Sequence, residues 1–402
     1  MSEITPMFKK FIFSRTELAG SLADLGTMLP IAGGMIVANG LEPAGIFFSV
    51  GAFYILSGLY FGVTMPVQPM KLIGAYAIAM GYDAGVVSAS VLMMGIVLLF
   101  IGMAGIAKLI DKYVPKSVVR GVQVSAGVLL AVEGIKFILG TTKFQSLESE
   151  PYLMLQHIGA IPIGIILGII SLILILLLLE NKKMPAAIAV ISAGMLAGIF
   201  FGTHEGFDQI SFFSLPKILP FDIPSADMLL ISLTSLVMPQ LPLSLGNSVI
   251  SAPDLAGRYF GENAKKVTPK AVSISMGLAN IAAFFVGGMP LCHGSGGLAA
   301  HYRFGSRTAG TNLMIGSIFL LLAIFLGEHS TYIINLLPLS VLGILLTFAG
   351  IELTLMIKDL KERNDLFVVF TMTAVTLAAN LAPALVIGFL LSFILKTKKL
   401  NL

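Results

Sequence analysis

Gln68, Lys71, His293 and Ser295 are polar residues in apolar sequence, each within two residues of a proline or glycine. Two of them lie in Met65-Pro66-Val67-Gln68-Pro69-Met70-Lys71. The others lie in Met289-Pro290-Leu291-Cys292-His293-Gly294-Ser295-Gly296-Gly297-Leu298. Amide, ammonium and hydroxyl groups are hydrogen-bond donors. With free backbone N–H groups beside them, they suit non-covalent capture of a small oxyanion, which offers acceptors only. Covalent chemistry is not indicated, because the sequence has no acidic metal cluster and no nucleophile–base motif. Cys292 is the only cysteine, which excludes an internal disulfide and a cysteine-cluster metal site. Packing is the simpler reading of it. Neither an enzyme nor a cofactor is expected.

The elements that position these residues follow from the prolines. Pro66 and Pro69 cannot both sit inside one regular helix, since each removes a backbone donor and clashes with the preceding turn. Pro69 suits the first position of a new helix. The sequence therefore predicts residues 62–68 extended and 69–80 helical, with free N–H groups and a positive dipole end at the break. Residues 288–292 are likewise predicted extended and 295–304 helical, with Ser295 as N-cap. Facing helix N-termini suit an oxyanion. Broken backbone at membrane depth is tolerated only inside protein or along a cavity. Glycines and prolines also permit close packing and kinks in membrane helices; the pairing of the two breaks is what points to a site.

The candidate substrate contacts are Gln68, Pro69, Met70, Lys71, His293, Gly294, Ser295, Gly296 and Gly297. Gln240, Asn247 and Ser248 in Pro239-Gln240-Leu241-Pro242-Leu243-Ser244-Leu245-Gly246-Asn247-Ser248 either line the same cavity or bond between helices. His293 reads equally as a ligand or as a hydrogen-bonded packing residue. Asp24, a carboxylate in an apolar span, is costly at depth and is the candidate coupling residue; a structural pair with Lys71 is the alternative. Glu133 and Lys136 read as an ordinary helix-face pair, and Arg303 and Arg307 as anchors of a span end.

The chain has 402 residues, 56% hydrophobic and 11% charged, with mean hydropathy +0.95. Soluble domains carry about 25% charged residues. The composition predicts an all-α polytopic membrane protein whose partner is the lipid bilayer, without a sizeable soluble domain. No signal-peptide pattern precedes the first apolar run. The net charge of +4 reflects loop placement and not nucleic-acid binding. Apolar runs predict fourteen spans, the first over residues 18–39, the third 64–80, the eighth 226–250 and the tenth 289–304. With both termini on the cytoplasmic side of the cell membrane, nearly all of the 25 Lys and Arg fall in cytoplasmic segments, the positive-inside pattern. Lys143 and Lys217 fall outside, and Lys71 and Lys136 in spans.

Residues 203–225 form an extracytoplasmic linker between two sets of seven spans, 1–202 and 226–402. Seven is odd, so the second set is inverted. Leu29-Pro30-Ile31-Ala32-Gly33-Gly34 resembles Leu241-Pro242-Leu243-Ser244-Leu245-Gly246, and Met65-Pro66-Val67 resembles Met289-Pro290-Leu291. The longer spacing in the second half fits a basic loop over residues 254–266. Inverted repeats interrupted at corresponding positions point to a transporter site near the bilayer midplane.

The stretches 66–71, 239–248 and 289–298, with Tyr302-Arg303-Phe304-Gly305, resemble the signature stretches of the molybdate transporters related to sulfate permeases. The resemblance runs over essentially the whole chain. It implies the fold shared by sulfate permeases and the uracil permease: seven-plus-seven inverted repeats with half-strand, half-helix third and tenth spans. A core of spans 1–4 and 8–11 would move against a gate of spans 5–7 and 12–14. It also implies secondary active import of molybdate by an elevator-type motion, with tungstate as a close mimic and sulfate as a weaker competitor. The chain's end soon after Lys396 leads to the expectation that the cytoplasmic STAS domain of most sulfate permeases is absent. A sulfate or other small-anion transporter, and an anion channel, are the alternatives. A homodimer is compatible with the sequence, which fixes neither the coupling ion nor the affinity.

Overall fold

The computed structural model describes residues 11–23, 25–142, 157–179, 181, 186–201, 215–326 and 336–397. The first half of the chain gives α1 (Arg15–Leu22), α2 (Leu25–Asn39), α3 (Pro43–Phe61), β1 (Gln68–Pro69), α4 (Lys71–Met80), α5 (Ala84–Ala104), α6 (Ala107–Tyr113) and α7 (Lys116–Leu139). A small hairpin, β2 (His157–Ile158) and β3 (Ile161–Pro162), leads into α8 (Ile163–Leu178) and α9 (Ala186–Phe201). The second half gives α10 (Ala226–Ile231), α11 (Met238–Leu243), α12 (Ser251–Phe260), α13 (Pro269–Phe285), β4 (Leu291–Cys292), α14 (Ser295–Arg303) and α15 (Gly310–Leu326). It closes with α16 (Leu339–Thr354), α17 (Arg363–Ala378) and α18 (Leu381–Thr397). Five helical stretches among the described residues are long and apolar enough to cross a membrane, and shorter apolar helices accompany them. Large apolar side chains such as Phe100, Phe200, Phe370 and Phe393 point outward. That surface requires lipid, so the protein is a multi-pass membrane protein.

Three helix pairs form the frame: α7 with α16, α5 with α13, and α3 with α15. Glycines set each closest approach. A Cβ added at Gly134 would stand 2.5 Å from the Gly343 carbonyl oxygen, and one at Gly127 2.6 Å from that of Gly350. Gly51 and Gly316 would each meet the other's carbonyl oxygen at 2.8 Å, and Gly277 would meet the Leu99 nitrogen at 2.6 Å. Small residues let membrane helices bring their backbones together where side-chain burial from water drives nothing.

The two Met-Pro segments interrupt this frame. Gly62 ends α3 in the left-handed region (φ 74°) and Gly81 ends α4 the same way (φ 64°). Between them the chain runs extended through β1, which pairs antiparallel with β4, Gln68 opposite Cys292 and Pro69 opposite Leu291. The Met70 N–H donates to the Pro290 carbonyl at 2.8 Å. Two buried asparagines complete the broken backbone. Asn312 accepts from the Met65 N–H at 2.9 Å and donates to the Met65 carbonyl at 2.7 Å. Asn280 does the same for Leu291, at 2.9 and 2.8 Å. Each amide thus acts as a one-residue neighbouring strand, meeting backbone groups that would otherwise be buried unpaired.

Several predicted boundaries are corrected. Strand pairing keeps Pro69 and Met70 extended, so α4 starts at Lys71 and not at Pro69. The N-cap of α14 is Gly294, with Ser295 the first helical residue, because the serine hydroxyl turns to Asn247. The predicted span 226–250 continues as helix into α12 and a 3₁₀ turn, where a basic loop was expected. It contains two π-helical stretches, Ser232–Val237 and Ser244–Ile250. Glu133 and Lys136 form the expected helix-face pair at 3.0 Å.

Glu17 shows how the ends of the site helices are secured. Its carboxylate is 3% exposed. It accepts from the Arg307 and Thr308 N–H groups, both at 3.1 Å, and from the Thr311 hydroxyl. It therefore caps the entry to α15 from α1, where a negative charge is favoured. Glu17→Ala leaves these donors buried and unpaired. An expected loss of about 3 kcal/mol should appear as a lowered melting temperature of the purified protein, with Glu17→Gln losing less.

Candidate functional site

A cavity of about 800 Å³ reaches the β1–β4 crossing. Six of the predicted residues stand on its wall: Lys71, Gln240, Asn247, Ser248, Ser295 and Gly296. The start of α14 is its most open donor surface. The Leu298 N–H to the Gly294 carbonyl, 3.2 Å, is the first bond of this helix. The N–H groups of residues 295–297 therefore have no acceptor within the helix. Gly296 is exposed, and a Cβ added there would meet no described residue beyond its own helix within 4 Å. The Ser295 hydroxyl donates to Asn247 Oδ1 at 2.7 Å, which leaves the Asn247 NH₂ group as the free end of that amide. Ser248 is 1% exposed, and its hydroxyl has no hydrogen-bond partner.

The start of α4 is different, and the prediction of two equivalent open N-termini needs correction. Gln240 Oε1 accepts from the Leu72 N–H at 3.1 Å and the Ile73 N–H at 3.2 Å. Its Nε2 donates to the Ser244 hydroxyl at 2.9 Å. A side chain from the other half of the protein thus caps α4 in place of the usual serine or aspartate. Lys71, half-buried on the wall, forms no ion pair among the described residues. Asp24, its predicted partner, lies outside the described residues. Lys116 and Arg120 reach the same cavity but are held by Asp359 at 2.9 and 2.6 Å. Arg303, read as the anchor of a span end, also lines it.

The other predicted residues lie behind the wall. Gln68, Pro69 and Met70 are buried in the crossing, and Gly294 and Gly297 are buried in the first turn of α14 and its cap. At Gly294 a Cβ would stand 2.1 Å from Gln68 Oε1, so a larger residue would require the Gln68 carboxamide to shift. His293 is fully buried. Its Nδ1 lies 2.7 Å from the Pro66 carbonyl and its Nε2 3.2 Å from the Ser275 hydroxyl, with Phe53 and Phe61 against the ring. The carbonyl only accepts, so Nδ1 carries a proton. Of the two readings of His293, packing is the one this geometry favours: the ring ties the two breaks together. His301, one helix length on, bonds Thr64 in the same way at 2.8 Å.

Sequence reasoning missed Asn280 and Asn312; Cys292, read as packing, is buried in the core and also borders the cavity. The asparagines had a signal. An amide inside an apolar run must find partners, and broken backbone needs them.

The model of the family described as "Molybdate transporter of MFS superfamily" matches residues 16–130 and 232–353. Molybdate transporter 1 of Arabidopsis thaliana is 30% identical over 442 residues, covering 98% of this chain and 92% of that protein. Among solved structures, the transmembrane domain of the cyanobacterial bicarbonate transporter BicA superposes with a TM-score of 0.67 at 18% identity, covering 94% of this chain and 98% of that one. SLC26A9 gives 0.66 at 15% identity, over 96% of this chain and 65% of that one. The fold is therefore the one these anion transporters share. Sequence and fold together place the chain in the molybdate transporter family, as a membrane transporter of anions.

Proposed function

We propose that the protein is a secondary active transporter that brings molybdate into the cell, binding it at the β1–β4 crossing. The observation that carries this reading is a wall of donors. Ser295 and Gly296 at the start of α14, the Asn247 amide, the Ser248 hydroxyl and the Lys71 ammonium line it together. A tetrahedral dianion offers acceptors only, and a helix start with an adjacent cation matches it. The same donors fit sulfate, so size and donor placement decide between the two anions. We keep the core of spans 1–4 and 8–11 and the gate of spans 5–7 and 12–14 as part of this proposal; the three glycine-seamed pairs support it through their symmetry. Exchanging the repeats converts the α3–α15 pair into the α13–α5 pair and leaves α7–α16 as itself. In this reading the core carries the anion past the α7–α16 gate. Under the positive-inside topology the cavity, which extends to Lys116 and Arg120, opens to the cytoplasm.

The test is uptake of radiolabelled molybdate by proteoliposomes under imposed proton or sodium gradients. Saturable, concentrative uptake, blocked by tungstate more strongly than by sulfate, is expected. Sulfate competing as well as tungstate would move the substrate to sulfate. Sustained current without saturation would make the protein a channel. Asp24 remains the proposed coupling residue, and Asp24→Asn should abolish uphill uptake in the same assay. Unchanged concentrative uptake across pH would remove it from that role.

A further inference from the structure

Gln240 holds the donors of α4 while standing on the cavity wall, which makes it a competitor for whatever enters. We propose that Gln240 is a displaceable internal cap: its carboxamide oxygen occupies the Leu72 and Ile73 N–H groups of the empty cavity, and an entering tetrahedral oxyanion takes them over. The inference rests on the reading of this cavity as an oxyanion site.

The geometry fits exchange better than permanent closure. One neutral oxygen is shared between two donors at 3.1 and 3.2 Å, the long end of the usual range. A dianion oxygen makes shorter bonds, roughly twice as strong. The donors directly follow Lys71, whose charge favours an anion beside them. The backbone under Gln240 is suited to movement. Helix α11 has six residues, carries Pro242 inside it, and lies between two π-helical stretches. Such stretches lack the regular ladder and recur at functional sites. The Nε2 bond to Ser244 anchors the far end of the carboxamide, so its oxygen can leave the N–H groups without the side chain losing every partner.

Three roles for Gln240 are separable by sign. A permanent structural cap, or a direct ligand through Nε2, loses anion affinity when the side chain is truncated. A displaceable cap gains it, because the donors are already free. Gln240→Met and Gln240→Ala, in the full chain, are therefore expected to melt at lower temperature without ligand. They should bind molybdate about fivefold more tightly by calorimetry, the size of one net hydrogen bond. Equal or weaker affinity in monodisperse variants overturns the proposal. A measurement on the unaltered chain does not depend on the variants folding. Isotope-labelled Leu72 and Ile73 amides should shift on saturation with molybdate, and resonances that stay in place while binding occurs overturn the cap. An unaltered chain that binds neither molybdate, tungstate nor sulfate defeats the oxyanion reading itself, and the cap with it.

Discussion

Replacing Lys71 with methionine should cut molybdate affinity by at least about thirtyfold, with the protein still folded. Removing one partner of a buried charged hydrogen bond costs about 2–5 kcal/mol, and each 1.4 kcal/mol is about tenfold in the dissociation constant. Lys71 is the cation to test because it opens α4 at the crossing, whereas Lys116 and Arg120 on the same wall are held in ion pairs. Lys116 and Arg120 share Asp359, and Arg120 also donates to Gln123 at 2.6 Å. Methionine preserves the apolar stem, so the change isolates the charge. The helix dipole of α14 stays in place and leaves a residual weak site. Calorimetric titration of purified Lys71→Met, with tungstate as competitor, reads the effect. Wild-type affinity in this variant would place the anion elsewhere.

Gly296→Val should remove molybdate binding by a different route, sterically. No described residue beyond its own helix lies within 4 Å of a Cβ at this position, so the new side chain enters the cavity and not the packed interior. The variant should insert, purify and melt like the parent while showing no saturable binding. Gly294→Ala, two residues earlier, makes the instructive contrast. Its single methyl would stand 2.1 Å from Gln68 Oε1 and 3.3 Å from Asn247 Nδ2, so it should disrupt the crossing and lower the melting temperature. Near-normal binding by Gly296→Val would show that the oxyanion does not approach the start of α14.

The two breaks were legible in the sequence because proline acts locally. Pro66 paired with Pro69, and Pro290 flanked by glycines, disfavour a regular helix, whereas Pro30 and Pro242 stay inside helices. The membrane class was legible for a similar reason, since composition is additive along the chain. The cap on α4 was not legible. It depends on Gln240 reaching Leu72 from 168 residues away, and no local pattern states which helix will lie opposite. The same holds for His293. Its neighbours Gly294 and Ser295 suggested a ligand, and only the packed fold puts its ring between Pro66 and Ser275. The first residue of α4 and the N-cap of α14 were missed because backbone pairing and a serine–asparagine bond, both long-range, overrode local capping preferences, while the start of α14 at Ser295 was read correctly.

The crossing of β1 and β4 also constrains how the molecule is made. Pro69 and Cys292 meet although 223 residues separate them. During synthesis the first broken segment leaves the ribosome long before its partner exists. Until then the Met65 and Met70 backbone groups lack Asn312 and Pro290, and such groups are costly to leave unpaired in lipid. The emerging half must therefore shelter that segment, in water, against the insertion machinery or in a provisional packing, and close it late. Contacts so distant in sequence form slowly and last. The crossing thus closes only once α15 has been made, and a chain stalled before Asn312 would lack the amide that completes it.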